Sequence, residues 1–158
     1  MNNLEEWKAL KRRYRTITLE EIEEAYYSAI YDADHEYDIN HEEVSTCLTG
    51  FGNTVQCTLC AAVTKEKPFV MARDCINCMW YIYTGSICMG ILPTNTWLTL
   101  AGTPPPNTEM KDTSYSIESR ITFNKLLTAD TPIKLLAAYK ARYRYMLKVE
   151  KQYKEKQK

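Results

Sequence analysis

The sequence predicts a mainly α or α+β single domain, in which N-terminal helices and a long C-terminal helix surround a small cysteine-rich centre. Three observations carry this. Apolar residues recur at helical spacing near both ends, helix-start signals stand at Thr18 and Thr131, and two Cys-x-x-Cys units interrupt the middle. With 158 residues the chain can bury a core without disulfides. The divisions run 1–46 for the N-terminal helices, 47–100 for the cysteine-rich centre, 101–113 for a loop and 114–158 for the C-terminal helices.

Leu4, Trp7, Leu10 and Tyr14 share one helical face, which predicts a helix over 4–15. Thr18-Leu-Glu-Glu21 is a capping box, with its acids in the first turn where the helix dipole favours them. Leu19, Ile22, Tyr26, Ala29 or Ile30, and Ala33 continue an apolar stripe, so this helix should reach about residue 33. Gly50-Phe-Gly52-Asn53 breaks the chain. Phe69–Ala72 and Met79–Tyr83 read as short strands, although runs of this length also suit helix. Pro104-Pro-Pro106-Asn107 marks the loop. Ile117, Ile121 and Leu126-Leu127 suggest a short helix. Thr131-Pro132 then opens the last one, with Thr as N-cap and Pro in the first turn, and no breaker stops it before about Lys154.

The strongest chemical signal is the cysteine spacing. Cys57-x-x-Cys60 and Cys75-x-x-Cys78 lie fourteen residues apart, and two such pairs close a tetrahedral zinc sphere. The expectation is one structural zinc on Cys57, Cys60, Cys75 and Cys78, with no open coordination position. Ala61 and Met79 follow the knuckles, where Gly is common. Cys47 and Cys88 are expected as inert core thiols or as substitutes for one of the four. A redox role for either pair requires a strand–helix context with an exposed helix N-terminus, which the sequence does not display.

Asp32-Ala-Asp34-His35-Glu36-Tyr37-Asp38-Ile39-Asn40-His41-Glu42-Glu43 supports several readings. It resembles an EF-hand calcium loop, with Asp32, Asp34, Glu36 and Glu43 at its first, third, fifth and twelfth positions. Tyr37, however, stands where the sharp turn needs Gly. Asp32-x-x-His35 and Asp38-x-x-His41 place carboxylate and imidazole on one helix face, as di-iron proteins do. His41-x-Glu43 ahead of Cys57-x-x-Cys60 resembles the zinc deaminase order, without the Pro before the first Cys. The simplest reading is a solvated acidic helix end running into a loop.

The formal net charge of zero conceals a segregation. Residues 1–15 hold five bases against two acids, and residues 16–46 hold ten acids and no Lys or Arg. Residues 131–158 hold nine bases against two acids. Overall neutrality leaves little long-range field, so the acidic and basic segments are expected to be neighbours that neutralise each other. In the last helix, Leu136, Tyr139, Tyr143, Met146 and Leu147 form the expected apolar stripe, which Tyr153 extends. Beside it Lys140, Arg144, Lys148, Lys151 and Lys158 fall within about 80°. Tyrosines among bases can stack nucleobases while the cations take phosphates.

No Ser/His/Asp arrangement, phosphate-cradling Gly loop or dinucleotide fingerprint is present, and both histidines lie in the acidic segment. The N-terminal stretch MNNLEEWKALKRRYR has no apolar signal region, and Met79–Trp97 is broken by Gly85, Gly90 and Pro93. A cytoplasmic location is expected. The function expected is that of a small zinc-stabilised, non-catalytic adaptor acting through protein–protein contacts. The alternatives are nucleic-acid binding through Lys140, Arg144, Lys148 and Lys151, and a metal-dependent hydrolase or deaminase-like enzyme.

Overall fold

The computed structural model describes residues 2–32, 41–51, 57–63, 77–85, 88 and 114–158. Among these, the elements are α1 (Leu4–Thr16), α2 (Leu19–Asp32), α3 (His41–Thr49), α4 (Thr58–Val63), α5 (Met79–Thr84), α6 (Ser114–Thr128) and α7 (Pro132–Lys156). One isolated antiparallel bridge, Phe51 to Cys57, joins the end of α3 to the start of α4. The described residues therefore form a mainly α domain. The predicted strand Phe69–Ala72 and the predicted loop 101–113 lie outside them.

Local signals place most of the helices. Trp7, Leu10 and Tyr14 are the buried stripe of α1. The capping box closes in both directions: the Glu21 N–H donates to Thr18 Oγ1 at 3.3 Å, and the Thr18 N–H donates to Glu21 Oε2 at 3.0 Å. That backbone hydrogen bond holds the Glu21 carboxyl below its usual range, and Arg13 adds to the effect. Thr131 Oγ1 accepts from the Lys134 N–H at 3.2 Å and starts α7, with Pro132 in its first turn. Gly50 ends α3 with φ of 77°, its N–H donating to Thr46 O at 2.7 Å. A Cβ there would meet Thr58 Cγ2 at 2.7 Å, so glycine serves both the turn and the packing.

Met79–Tyr83 is helix, one of the two forms its length suits. Its first free N–H, on Met79, donates to Asn3 Oδ1 at 2.6 Å, and Gly85 stops it at φ of 69°. The capping group comes from the start of α1, where short-range patterning cannot reveal it.

α7 is the hub and packs on α1, α2, α5 and α6, while α1 also touches α3, α4 and α5. The buried face of α7 is Leu135, Ala138, Tyr139, Arg142, Tyr145, Met146, Val149 and Glu150. This corrects the expected stripe. Leu136 and Tyr143 are half-buried, and Leu147 is exposed, because the buried face is centred on a cation.

Arg142 is fully buried. Its guanidinium carbon lies 3.9 Å from the Trp80 ring centroid, 4.9 Å from Phe51 and 5.7 Å from Phe123. Nη1 donates to Thr122 Oγ1 at 2.8 Å and to Ser119 O at 3.2 Å, and Nη2 donates to Cys88 O at 3.3 Å. Burial draws its pKa down, while Tyr14, Cys88 and Tyr145 push it back up. Among the described residues it has no carboxylate partner, so ring quadrupoles and carbonyl dipoles compensate its charge. Among the described residues the interior here is an arginine–aromatic cluster. Next to it, Trp80 Nε1 donates to Ser119 Oγ at 3.1 Å, and that hydroxyl shares a 2.7 Å hydrogen bond with Tyr145.

A second polar knot ties α1 to α7. Glu150 accepts from Trp7 Nε1 at 2.6 Å and from Lys11 Nζ at 2.7 and 2.6 Å. The acidic helix does pack on α7, and Tyr26 Oη donates to Ala129 O at 3.3 Å in the turn that precedes it. Neutralisation is seen on the side of α1. Glu21 pairs with Arg13 of α1, and among the described residues no ion pair joins α2 to α7.

Arg142→Ala should cost about 4 kcal/mol in urea unfolding, since it empties the cage and strands its acceptors. Arg142→Met, which refills the volume without charge, should cost about 1–2 kcal/mol; equal losses would refute the packing account. Glu150→Ala, which leaves the Trp7 N–H unpaired in the core, should cost about 2–3 kcal/mol, more than Glu150→Gln.

Burial raises the Tyr14 and Tyr139 phenols and pushes Tyr26 up to about 12. A folded pKa above the unfolded value means full stability below about pH 10, lost as pH rises through the folded values. Phenolate absorbance and loss of helicity should therefore rise together between about pH 10 and 12.

Candidate functional site

α6 and α7 form an antiparallel hairpin across the turn 129–131. The interior face of α6 supplies Ser119, Thr122 and Phe123 to the arginine cluster, which fixes its rotation against α7. A shallow groove of about 230 Å³ remains on the outer side of this seam. It is lined by Glu118, Ile121 and Thr122 from α6 and by Ala141, Arg144, Tyr145 and Lys148 from α7. Ala141 is the smallest residue of this lining and leaves room in the seam. Ile121 is 45 % exposed. Tyr145 is held by its bond to Ser119, and Lys148 Nζ pairs with Glu118 Oε1 at 2.5 Å across the groove.

The four cations expected to form one binding stripe divide into two groups. Lys140 Nζ donates to Arg15 O at 2.7 Å and to Tyr14 O at 3.5 Å, so it neutralises the carbonyl end of α1. Lys148 is engaged by Glu118. Arg144 and Lys151 are exposed and have no ion-pair or hydrogen-bond partner among the described residues. The tyrosines expected between these cations mostly face inward: Tyr139 and Tyr145 are buried, and Tyr143 and Tyr153 are half-buried.

Of the four expected zinc ligands, Cys57 and Cys78 are buried thiols. Cys60 stands on α4, but its side chain lies outside the described residues, as does Cys75. Asn3, itself fully buried, links the two knuckle regions. Its Nδ2 donates to Leu59 O at 2.8 Å and to Cys78 Sγ at 3.2 Å. The same amide group thus holds the backbone beside Cys60 and the sulfur that opens α5. Among the described residues no three metal-binding side chains cluster. Cys47 is exposed on α3, which corrects its expected core role; Cys88 is half-buried, and its carbonyl serves Arg142.

In the acidic segment, α2 ends at Asp32 and α3 begins at His41, the helix bounds that a calcium loop would require. Residues 33–40, including Asp34, His35, Glu36 and Asp38, lie outside the described residues. Sequence reasoning did not find Arg142, Asn3 or Ile121. Arg142 alone had a signal, as the only charged residue on an otherwise unbroken face from Leu135 to Val149.

No protein family, no curated protein and no solved structure matches the chain. Among the described residues, no helix is long and apolar enough to cross a membrane.

Proposed function

We propose that this chain is a small, zinc-stabilised, non-catalytic binding protein of the cytoplasm that works through protein–protein contacts at the α6–α7 face. The observation that carries the reading is the groove with exposed Ile121 on its wall and Arg144 on its rim. An apolar anchor site beside a free guanidinium is the composition of a protein-recognition hot spot. Its volume falls below the ~300–1,000 Å³ of small-molecule pockets, which favours a single inserted side chain over a free ligand. Nucleic-acid binding is less well supported, since Lys140 and Lys148 are engaged and the α7 tyrosines are largely buried.

Zinc on Cys57, Cys60, Cys75 and Cys78 belongs to this proposal. An amide N–H on Cys78 Sγ is the kind of outer contact that orients a metal-bound thiolate. Bound zinc would tie α4 and α5 beneath α1 and contribute folding free energy.

A photo-crosslinker at Ile121 should capture protein, and one at exposed Arg12 should not. Capture of nucleic acid alone, with affinity falling steeply with salt, would establish the rival reading. Elemental analysis should find one zinc per chain. Cys60→Ser and Cys78→Ser should lose it, Cys47→Ser and Cys88→Ser should keep it, and Asn3→Ala should weaken retention about tenfold. Zinc lost with Cys88→Ser but kept with Cys78→Ser would overturn the ligand set.

A further inference from the structure

We infer that the α6–α7 groove receives the outer face of α2 from a second copy of this chain. The inference rests on the reading of the groove as a protein-docking surface and names its occupant. Glu20, Glu24 and Tyr27 follow one another along the exposed side of α2, with half-buried Glu23 at its margin. None of these four has a hydrogen-bond or ion-pair partner among the described residues. Tyr27 is 67 % exposed, an aromatic ring standing among carboxylates.

The groove offers the complement. Its lining is mostly apolar, its volume of about 230 Å³ suits one ring, and Arg144 stands at its rim. Lys125 on α6 and Lys151 on α7 add exposed cations that are likewise without partners among the described residues. Tyr27 fills the groove beside Ile121, and Glu20, Glu23 and Glu24 meet Arg144, Lys151 and Lys125. The segregated charge agrees with this, since residues 16–46 carry ten acids and residues 131–158 nine bases, while the chain is neutral.

One molecule cannot make this contact with itself. Ile22 and Tyr26 bury the opposite side of α2 in the core, so the Tyr27 face points outward. The groove lies on the flank of α7 that faces α6, whereas Lys140 marks the flank that faces α1. The two surfaces differ, so each contact sets the α2 face of one copy in the groove of the other, once in a head-to-tail pair or twice about a two-fold axis. Its charged rim makes it sensitive to salt.

Sedimentation velocity of the full chain should show concentration-dependent association at low ionic strength and monomers near 1 M salt, where the Debye length is about 3 Å. Glu24→Lys combined with Tyr27→Ala removes the acidic face, and Arg144→Glu reverses the groove rim. Each variant alone should associate at least about tenfold more weakly while keeping its helicity. Mixed in equal amounts, the two variants should form a discrete 1:1 pair, since one intact surface of each still meets the other. A wild-type chain that stays monomeric, association unchanged by these substitutions, or a mixture that forms no pair would overturn the inference. Should Ile121 then crosslink to a different protein, the docking reading survives without self-association.

Discussion

The guanidinium of Arg142 on α7 is the point at which α5, α6 and the chain just beyond α3 are joined. Phe51 beyond α3, Trp80 on α5 and Phe123 on α6 meet it with their rings, and Ser119, Thr122 and Cys88 give it oxygen acceptors. A buried charge without a carboxylate is costly unless its surroundings are preorganised. Here the compensation is spread over several elements, so each depends on the others being in place. The groove inherits its shape from this cluster. Thr122 faces the cation and also lines the groove, and Tyr145 shares Ser119 with Trp80 while its ring lies on Trp80 at 5.7 Å. The binding surface is therefore the outer side of the same packing layer.

α1 fastens to this assembly at three heights. Asn3 reaches α4 and α5, Trp7 and Lys11 share Glu150, and Tyr14 stacks on Tyr139 with centroids 5.3 Å apart. The spacing along the helix exceeds a single patch, so α1 is aligned as well as attached. Lys140 and Arg13 complete the fit by taking carbonyls at the ends of α1 and α3. Cations that looked available for a partner are in this way part of the interior architecture.

The legible part of the fold was the part written in short-range code. The α1 stripe, the Thr18 box and the Thr131 cap each depend on residues within one or two turns of one another, and each formed as the pattern requires. Contacts between distant residues were opaque. Met79 takes its cap from Asn3, Lys140 takes its acceptors from α1, and Arg142 is buried although hydropathy alone assigns it to the surface. The groove had no signal either, because it lies between two helices with a small Ala141 in its lining, and no periodicity encodes a gap. Charge segregation was visible, but whether opposite charges meet depends on helix orientation, which only packing decides.

The Asn3–Met79 contact also bears on the order of folding. α5 has six residues, too few to persist alone in water, where helices shorter than about 12–15 residues are marginal. Its first turn is completed by a side chain 76 positions earlier, so α5 cannot settle before the start of α1 has docked beside it. That closure brings together distant stretches of chain before local helix formation can reward it, which is the kind of step that slows a helical protein. Trp80 travels on α5, so burial of its indole marks the moment when the two ends of that contact meet.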